Sequence, residues 1–377
     1  MMRYPMVDLL GQYQKIKPEI DAAIQEVIQS TSFIGGAAVK TFQKNLARYL
    51  DVKHVITCGN GTDALQLALI ALDLKPGDEV ITTSFTFIAT AEAIALLKLT
   101  PVFVDVLPDT FNIDPDAVEK AVTPKTKAII PVHIFGQAAD MQRLNAIAKE
   151  HNLFVIEDTA QALGAGINFP GNGTKKAGTI GDIGCTSFFP SKNLGAFGDG
   201  GAVFTNDDAL ATKLQGLTHH GMKVRYHHDY VGMNSRLDSM QAAILNVKLK
   251  YLDDYVAARQ KAAAFYNKTF ENCAKIQTPV TAPFTTHVFH QYTLFLKDVD
   301  REGLMKNLAE KGIETAIYYP VPLHLQKAFR NLGYKEGDFP VSETICKSVL
   351  SLPMHTELSG WMQQEIADAV LEFVKKQ

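Results

Sequence analysis

Residues 54–72 read His54-Val55-Ile56-Thr57-Cys58-Gly59-Asn60-Gly61-Thr62-Asp63-Ala64-Leu65-Gln66-Leu67-Ala68-Leu69-Ile70-Ala71-Leu72. A β-branched run, His54–Cys58, stops at a turn with two glycines. Apolar residues at helical spacing follow over 63–72. The alternation repeats downstream. Residues 79–82 read as a strand and 89–97 as a helix. Residues 101–106, 128–132 and 153–157 are apolar, β-branched runs of the kind buried on both faces. A helix over 140–151 joins the last two, and a strand over 203–205 closes the set. This pattern predicts an α/β fold, a largely parallel sheet covered by helices on both faces. In such sheets ligands gather outside the carboxyl ends of the strands, so polar residues there are the first functional candidates.

After Arg236 the texture changes. Residues 238–270 predict one long helix or a broken pair. A strand (291–296), a helix (301–311), an aromatic strand (315–319) and a terminal helix (361–375) follow. The expected division is a large domain over 1–250, with an N-terminal helical segment near 20–31, and a smaller C-terminal α+β domain over 251–377.

The 377 residues are 46% hydrophobic and 20% charged, which suits a sizeable core. A net charge of −3 argues against a generic nucleic-acid binder. No apolar run reaches the about 18 residues that cross a bilayer, and residues 1–17 lack the pattern of a secretory leader. Cys58, Cys185, Cys273 and Cys346 lie far apart without a CxxC pair and read as reduced thiols. The expectation is a cytoplasmic enzyme with no nucleic-acid or membrane partner.

Four constellations stand out. In the turn after His54–Cys58, two glycines let backbone approach a ligand, Thr62 can cap the next helix, and the helix N-terminus favours a phosphate. An ordinary strand-to-helix turn uses the same residues, and neither GxGxxG nor GxxxxGK[ST] is present. Second, Asp158 ends an apolar strand. Its partner there could be a pyridinium N–H, a metal or a helix N-terminus. Third, Lys192 follows the aromatic stretch Phe188-Phe189 and precedes Gly195, Gly198, Gly200 and Gly201. Most lysines are simply solvated, but an amine beside apolar groups has a lowered pKa and becomes a better nucleophile, suited to Schiff-base chemistry. Fourth, His219, His220, His227 and His228 lie close together in sequence. Adjacent pairs point to different sides and no carboxylate or cysteine stands at zinc spacing, so the reading is a basic loop for anionic groups, with no metal.

In this order and spacing the chain resembles the DegT/StrS family of pyridoxal-phosphate nucleotide-sugar aminotransferases. The resemblance rests on 59–62, 84–90, 157–161, 187–192, 198–201, 234–238 and 319–324. It implies fold type I of the PLP-dependent transferases (aspartate aminotransferase-like), with a mostly parallel central sheet. It also implies that Lys192 links covalently to pyridoxal 5′-phosphate (PLP, alternating with pyridoxamine phosphate, PMP) and shuttles protons, and that Asp158 pairs with the pyridine nitrogen. By the same resemblance Phe87 stacks on the ring, Gln161 sits beside it, and Gly61, Thr62 and Ser187 hold the phosphate. Asn234 reaches the phosphate of a neighbouring subunit, which implies a homodimer with composite sites. Arg236, Arg225, Tyr318, Tyr319 and His324 are implied to meet the substrate. Lysine at 192, where some dehydratase relatives have histidine, implies amino transfer from L-glutamate to a keto-sugar.

The stretch 220–245 looks most like enzymes that aminate C3, especially of UDP-2-acetamido-2-deoxy-3-oxo-D-glucuronate, for O-antigen or other surface polysaccharide. One departure is Tyr318-Tyr319-Pro320, where those relatives commonly read His-Tyr-Pro. Tyr-Tyr-Pro also occurs in enzymes acting on dTDP-3-oxo-6-deoxyhexoses, and a 4-keto-sugar is the remaining alternative. A small-molecule-binding regulator is the competing class, but no helix-turn-helix pattern with basic flanks is visible.

Overall fold

The structure is a computed structural model that describes residues 3–169, 171 and 173–377. Two helices lead, α1 (Leu9–Ser30) and α2 (Ala37–Leu50). Alternation then begins: β1 (His54–Cys58), α3 (Gly61–Ala71), β2 (Glu79–Thr83), α4 (Ala89–Leu96), β3 (Thr100–Val104), α5 (Pro115–Ala121), β4 (Thr126–Ile130), α6 (Met141–His151) and β5 (Phe154–Asp158). A hairpin, β6 (Gly166–Phe169) and β7 (Gly173–Lys176), precedes β8 (Ile183–Ser187), β9 (Gly201–Thr205) and α7 (Asp208–Leu217). A small hairpin, β10 (Met222–Val224) with β11 (His227–His228), leads to α8 (Ser239–Leu249) and α9 (Leu252–Phe270). The chain ends with β12 (Ile276–Gln277), β13 (Tyr292–Leu296), α10 (Arg301–Glu310), α11 (Pro340–Ser348), β14 (Val349–Leu352) and α12 (Gly360–Val374).

Among the described residues the large sheet has seven strands in the order β1-β9-β8-β5-β4-β2-β3. All pairings are parallel except those of β9, which runs against both neighbours. The expected mostly parallel sheet is therefore present. Helices α3, α4 and α7 bury one face through residues such as Leu67, Ile94 and Leu214. Helices α5 and α6 bury the other through Val118, Leu144 and Ile147. Burial on both faces explains why these strands read as apolar runs rather than as alternating ones. A second core forms on the sheet β12-β13-β14 under α9, α10 and α12, and Tyr4 from the chain's start is buried in it. Along α9, Val256 packs with the large sheet's clusters while Tyr266 lies in the small sheet's core. No helix among the described residues is long and apolar enough to cross a membrane.

One expectation is resolved and another changes. The run 238–270 is the broken pair, α8 and α9, parted at Lys250-Tyr251. The aromatic strand over 315–319 is absent; only Ala316 makes a bridge, to Ser351. Pro320 and Pro322 remove N–H donors and restrict the residues before them, which suits a bend rather than a ladder.

Topology fixes the site. The carboxyl ends of β1, β5 and β8 and the start of antiparallel β9 lie at one edge, with Cys58 and Ser187 both opposite Gly201 and Asp158 opposite Cys185.

Candidate active site

The floor is the turn between β1 and α3. Asn60 caps the helix, its Oδ1 accepting from the Asp63 N–H at 2.8 Å. The sequence suggested Thr62 as cap; the helix starts at Gly61, so Thr62 already lies inside it. The N–H groups of Gly61 and Thr62 have no acceptor among the described residues and stand at the positive end of the helix dipole. Glycine is required at 61: a Cβ there would come within 2.7 Å of the Ser187 Cβ, where β8 ends. Ser235 ties a distant segment to this turn. Its Oγ accepts from the Gly59 N–H at 2.9 Å and donates to Asp63 Oδ2 at 2.6 Å.

Above the floor stands Asp158, 6% exposed at the end of β5. The Thr90 hydroxyl donates to its Oδ2 at 2.8 Å, and the Ala160 N–H donates to Oδ1 at 3.1 Å. These two bonds fix the plane of the carboxylate. Lys192 sits in a turn after β8, its N–H donating to the Phe189 carbonyl at 2.8 Å. Burial pushes its amine down to about 8, against the opposing pull of the Asp158 charge. An open cleft of about 830 Å³ holds both residues. His290 also lines it. Burial holds that imidazole well below its ordinary range, with the Lys192 and Arg259 charges adding, so it is neutral. Its Nδ1 is buried and has no partner among the described residues.

The walls are aromatic. Gln161 accepts from the Phe135 N–H at 2.7 Å and donates to the Tyr319 hydroxyl at 2.9 Å. Phe87, 55% exposed, lies 6.2 Å from the Tyr319 ring, centroid to centroid. Burial raises the Tyr319 phenol above its ordinary value, so it stays a neutral donor and acceptor.

Nine of the residues singled out in the sequence meet here: Gly61, Thr62, Phe87, Asp158, Gln161, Ser187, Lys192, Tyr318 and Tyr319. Four do not. Asn234 is exposed beside its backbone bridge to His219. Arg236 is half-buried outside the lining, and Arg225 is exposed on the β10–β11 hairpin, donating to the Tyr226 hydroxyl at 3.2 Å. His324 is 2% exposed, with its Nδ1 at 2.6 Å from Ser84 Oγ and its Nε2 at 3.1 Å from Glu343 Oε1. Both ring nitrogens are used within the fold, which leaves none for a substrate. Among the described residues no group of three His, Cys, Asp or Glu is placed to hold a metal ion. Sequence reasoning missed Thr90 and His290. Thr90 carried a readable signal, a hydroxyl in the first turn of the helix after β2. His290 carried none, being a lone histidine before a strand.

The description "DegT/DnrJ/EryC1/StrS aminotransferase family" matches residues 14–371. A relative from Geobacillus stearothermophilus, named a pleiotropic regulatory protein, is 51% identical over 376 residues, 99% of each chain. A UDP-2-acetamido-2-deoxy-3-oxo-D-glucuronate aminotransferase from Pseudomonas aeruginosa PAO1 is 46% identical over 352 residues, 93% of this chain and 95% of the relative. Among solved structures, S. venezuelae DesV in complex with ketimine intermediate superposes with a TM-score of 0.95 at 40% identity, covering 100% of this chain and 99% of that one.

Proposed function

The chain belongs to the DegT/DnrJ/EryC1/StrS aminotransferase family, and from that premise we propose that it moves the amino group of L-glutamate to C3 of a UDP-linked 3-keto-sugar. UDP-2-acetamido-2-deoxy-3-oxo-D-glucuronate is the first choice, with the product destined for surface polysaccharide such as O-antigen and the reaction run in the cytoplasm. The substrate choice is supported by the name of the Pseudomonas relative and its 46% identity.

Pyridoxal 5′-phosphate is the cofactor, as in the rest of the family. When bound it supplies an electron sink for charge developing at the amino-acid Cα. The donor set fits it. The α3 N-terminus offers the Gly61 and Thr62 N–H groups and the Thr62 hydroxyl, and Ser187 adds its hydroxyl; together they suit a phosphate. The Asp158 carboxylate, held by Thr90 and Ala160, suits a protonated ring nitrogen, and Phe87 offers a face to an aromatic ring. The observation that carries the reading is a half-buried lysine whose amine is lowered to about 8, facing that carboxylate across an open cleft.

In this account Lys192 does two jobs. Its neutral amine would hold the cofactor covalently. Once released, Nζ takes the proton from the glutamate Cα and, in the second half-reaction, delivers one to the sugar C3. Asp158 would keep the ring nitrogen protonated. Tyr319, held by Gln161, lines the cleft as a neutral hydrogen-bonding group. Two half-reactions at one site give ping-pong kinetics.

We further infer a homodimer in which Asn234, Arg225 and Arg236 serve the cleft of a second copy. Support comes from the hairpin segment, where Val224 is 64%, Tyr226 76% and Val231 95% exposed, apolar surface that a second copy would cover. The decisive experiment supplies L-glutamate with a set of keto-sugars: the UDP-linked 3-oxo-uronate, its neutral 6-hydroxymethyl counterpart, a dTDP-3-oxo-6-deoxyhexose and a 4-keto-sugar. Fastest turnover of the uronate is expected. Preferred turnover of the deoxyhexose, the second reading favoured by Tyr318-Tyr319-Pro320, would overturn the choice of sugar while leaving the reaction class intact.

A further inference from the structure

The loop after Lys192 is held from outside by α8. Gln241 and Lys248 stand about two turns apart and so share a face of that helix. Gln241 Oε1 accepts from the Phe197 N–H at 2.8 Å, and its Nε2 donates back to the Phe197 carbonyl at 3.4 Å. Lys248 Nζ donates to the Gly195 carbonyl at 2.6 Å and lies 5.6 Å from the centre of the Phe197 ring. Lys248 is 2% exposed. Burial, with the Arg259 charge adding to it, lowers its amine to about 8. Arg259, on α9, is 5% exposed and donates from one guanidinium nitrogen to the carbonyls of Phe289 (3.1 Å), His290 (3.3 Å) and Met354 (2.8 Å).

Neither cation has a carboxylate partner among the described residues. Buried cations normally find one, because desolvation is costly. Here both donate to backbone oxygens, and, apart from the Met354 carbonyl, those oxygens belong to the segments that carry Lys192 and His290 into the cleft. The segments are joined as well: Asn193 Nδ2 donates to the Val288 carbonyl at 3.1 Å. Within its own loop Lys192 is held by a closed circuit, with the Ala196 N–H donating to the Phe188 carbonyl at 2.8 Å. A side chain at Gly195 would overlap the Pro190 carbonyl, so the turn has little room to adjust. Displacing the Gly195 carbonyl therefore displaces Lys192.

We propose that Lys248 is a positioning residue for Lys192: by gripping the Gly195 carbonyl it fixes the turn that aims the Lys192 amine at the cleft, while Arg259 fixes the facing segment at His290. This rests on Lys192 being the acting amine. Catalysis is sensitive to such placement, since a shift of about 1 Å can cost on the order of a hundredfold.

The test compares Lys248→Met, which removes the donor, with Lys248→Gln, which keeps a neutral one. Three quantities are read on the full chain. They are the melting temperature, the rate at which trinitrobenzenesulfonate labels Lys192 before cofactor is added (mapped by peptide mass spectrometry), and the single-turnover rate and KM for glutamate after loading. Lys248→Met is expected to slow Lys192 labelling and to lower the single-turnover rate about tenfold, with KM changed less than about twofold. Lys248→Gln is expected to recover most of both rates. If Lys248→Met does not fold, Gln241→Ala, which releases Phe197, is expected to show the same losses in smaller degree. Wild-type labelling and turnover in Lys248→Met overturn the proposal. So do equal losses in Met and Gln variants that merely follow melting temperature. Failure of the underlying reading is separate: Lys192→Ala would then keep its activity.

Discussion

Lys192 and Lys248 lie within one neighbourhood, and burial brings both amines to about 8. Lys192 opens onto a cleft opposite Asp158, and among the described residues its amine has no hydrogen-bond or ion-pair partner. Lys248 is sealed at 2% exposure, with its ammonium committed to the Gly195 carbonyl. A similarly lowered amine thus serves two different residues. A lowered pKa makes an amine chemically able; an open face and a correctly placed acid make it useful. The two are also linked, since the sealed amine holds the backbone that presents the open one.

The comparison can be broken most sharply at Lys192 itself. Lys192→Ala is expected to reduce amino transfer by about 10³-fold or more, since nucleophile and proton carrier go together; multiple-turnover assays with glutamate check it, and a loss of less than about tenfold contradicts the assignment. Asp158→Asn keeps the shape but removes the charge. A fall in turnover of about 10²- to 10³-fold is expected, in line with loss of a preorganised electrostatic partner. Thr90→Val deletes one hydrogen bond to that carboxylate at the cost of about 1.5 kcal/mol, or roughly tenfold in rate.

Titration sharpens the contrast further. Below about pH 8 the Lys192 amine is protonated and unreactive; above it the amine is neutral and nucleophilic. Labelling of Lys192 in cofactor-free protein should therefore rise through about pH 8 rather than near the ordinary lysine value. Lys248 shares the value but not the access, and should remain unlabelled across the same range while the protein is folded. Labelling of both at similar rates would erase the distinction.

Local chemistry made much of this legible. The run His54–Cys58 and its glycine turn declared strand and helix because each signal lies within a few residues. Asp158 and Lys192 stood out by their neighbours in sequence. The strand Ile183–Ser187 did not, because it contains Gly184 and owes its state to pairing with β5 and β9. The cap at Asn60 was misplaced by two residues because a threonine and an asparagine offer similar oxygens to a helix start. Lys248 reads in sequence as one more solvated lysine of an amphipathic helix; only the fold brings the Gly195 carbonyl to it. His324 shows the reverse. The segment around it invited a substrate contact, but Ser84 and Glu343, far away in sequence, use both ring nitrogens.

Reduction of the pyridoxal-loaded protein with borohydride, followed by peptide mapping, tests the central claim most directly. The account predicts a single reduced pyridoxyl adduct on the peptide containing Lys192, and none in Lys192→Ala. An adduct on Lys248 or another lysine, with Lys192 unmodified, would contradict it.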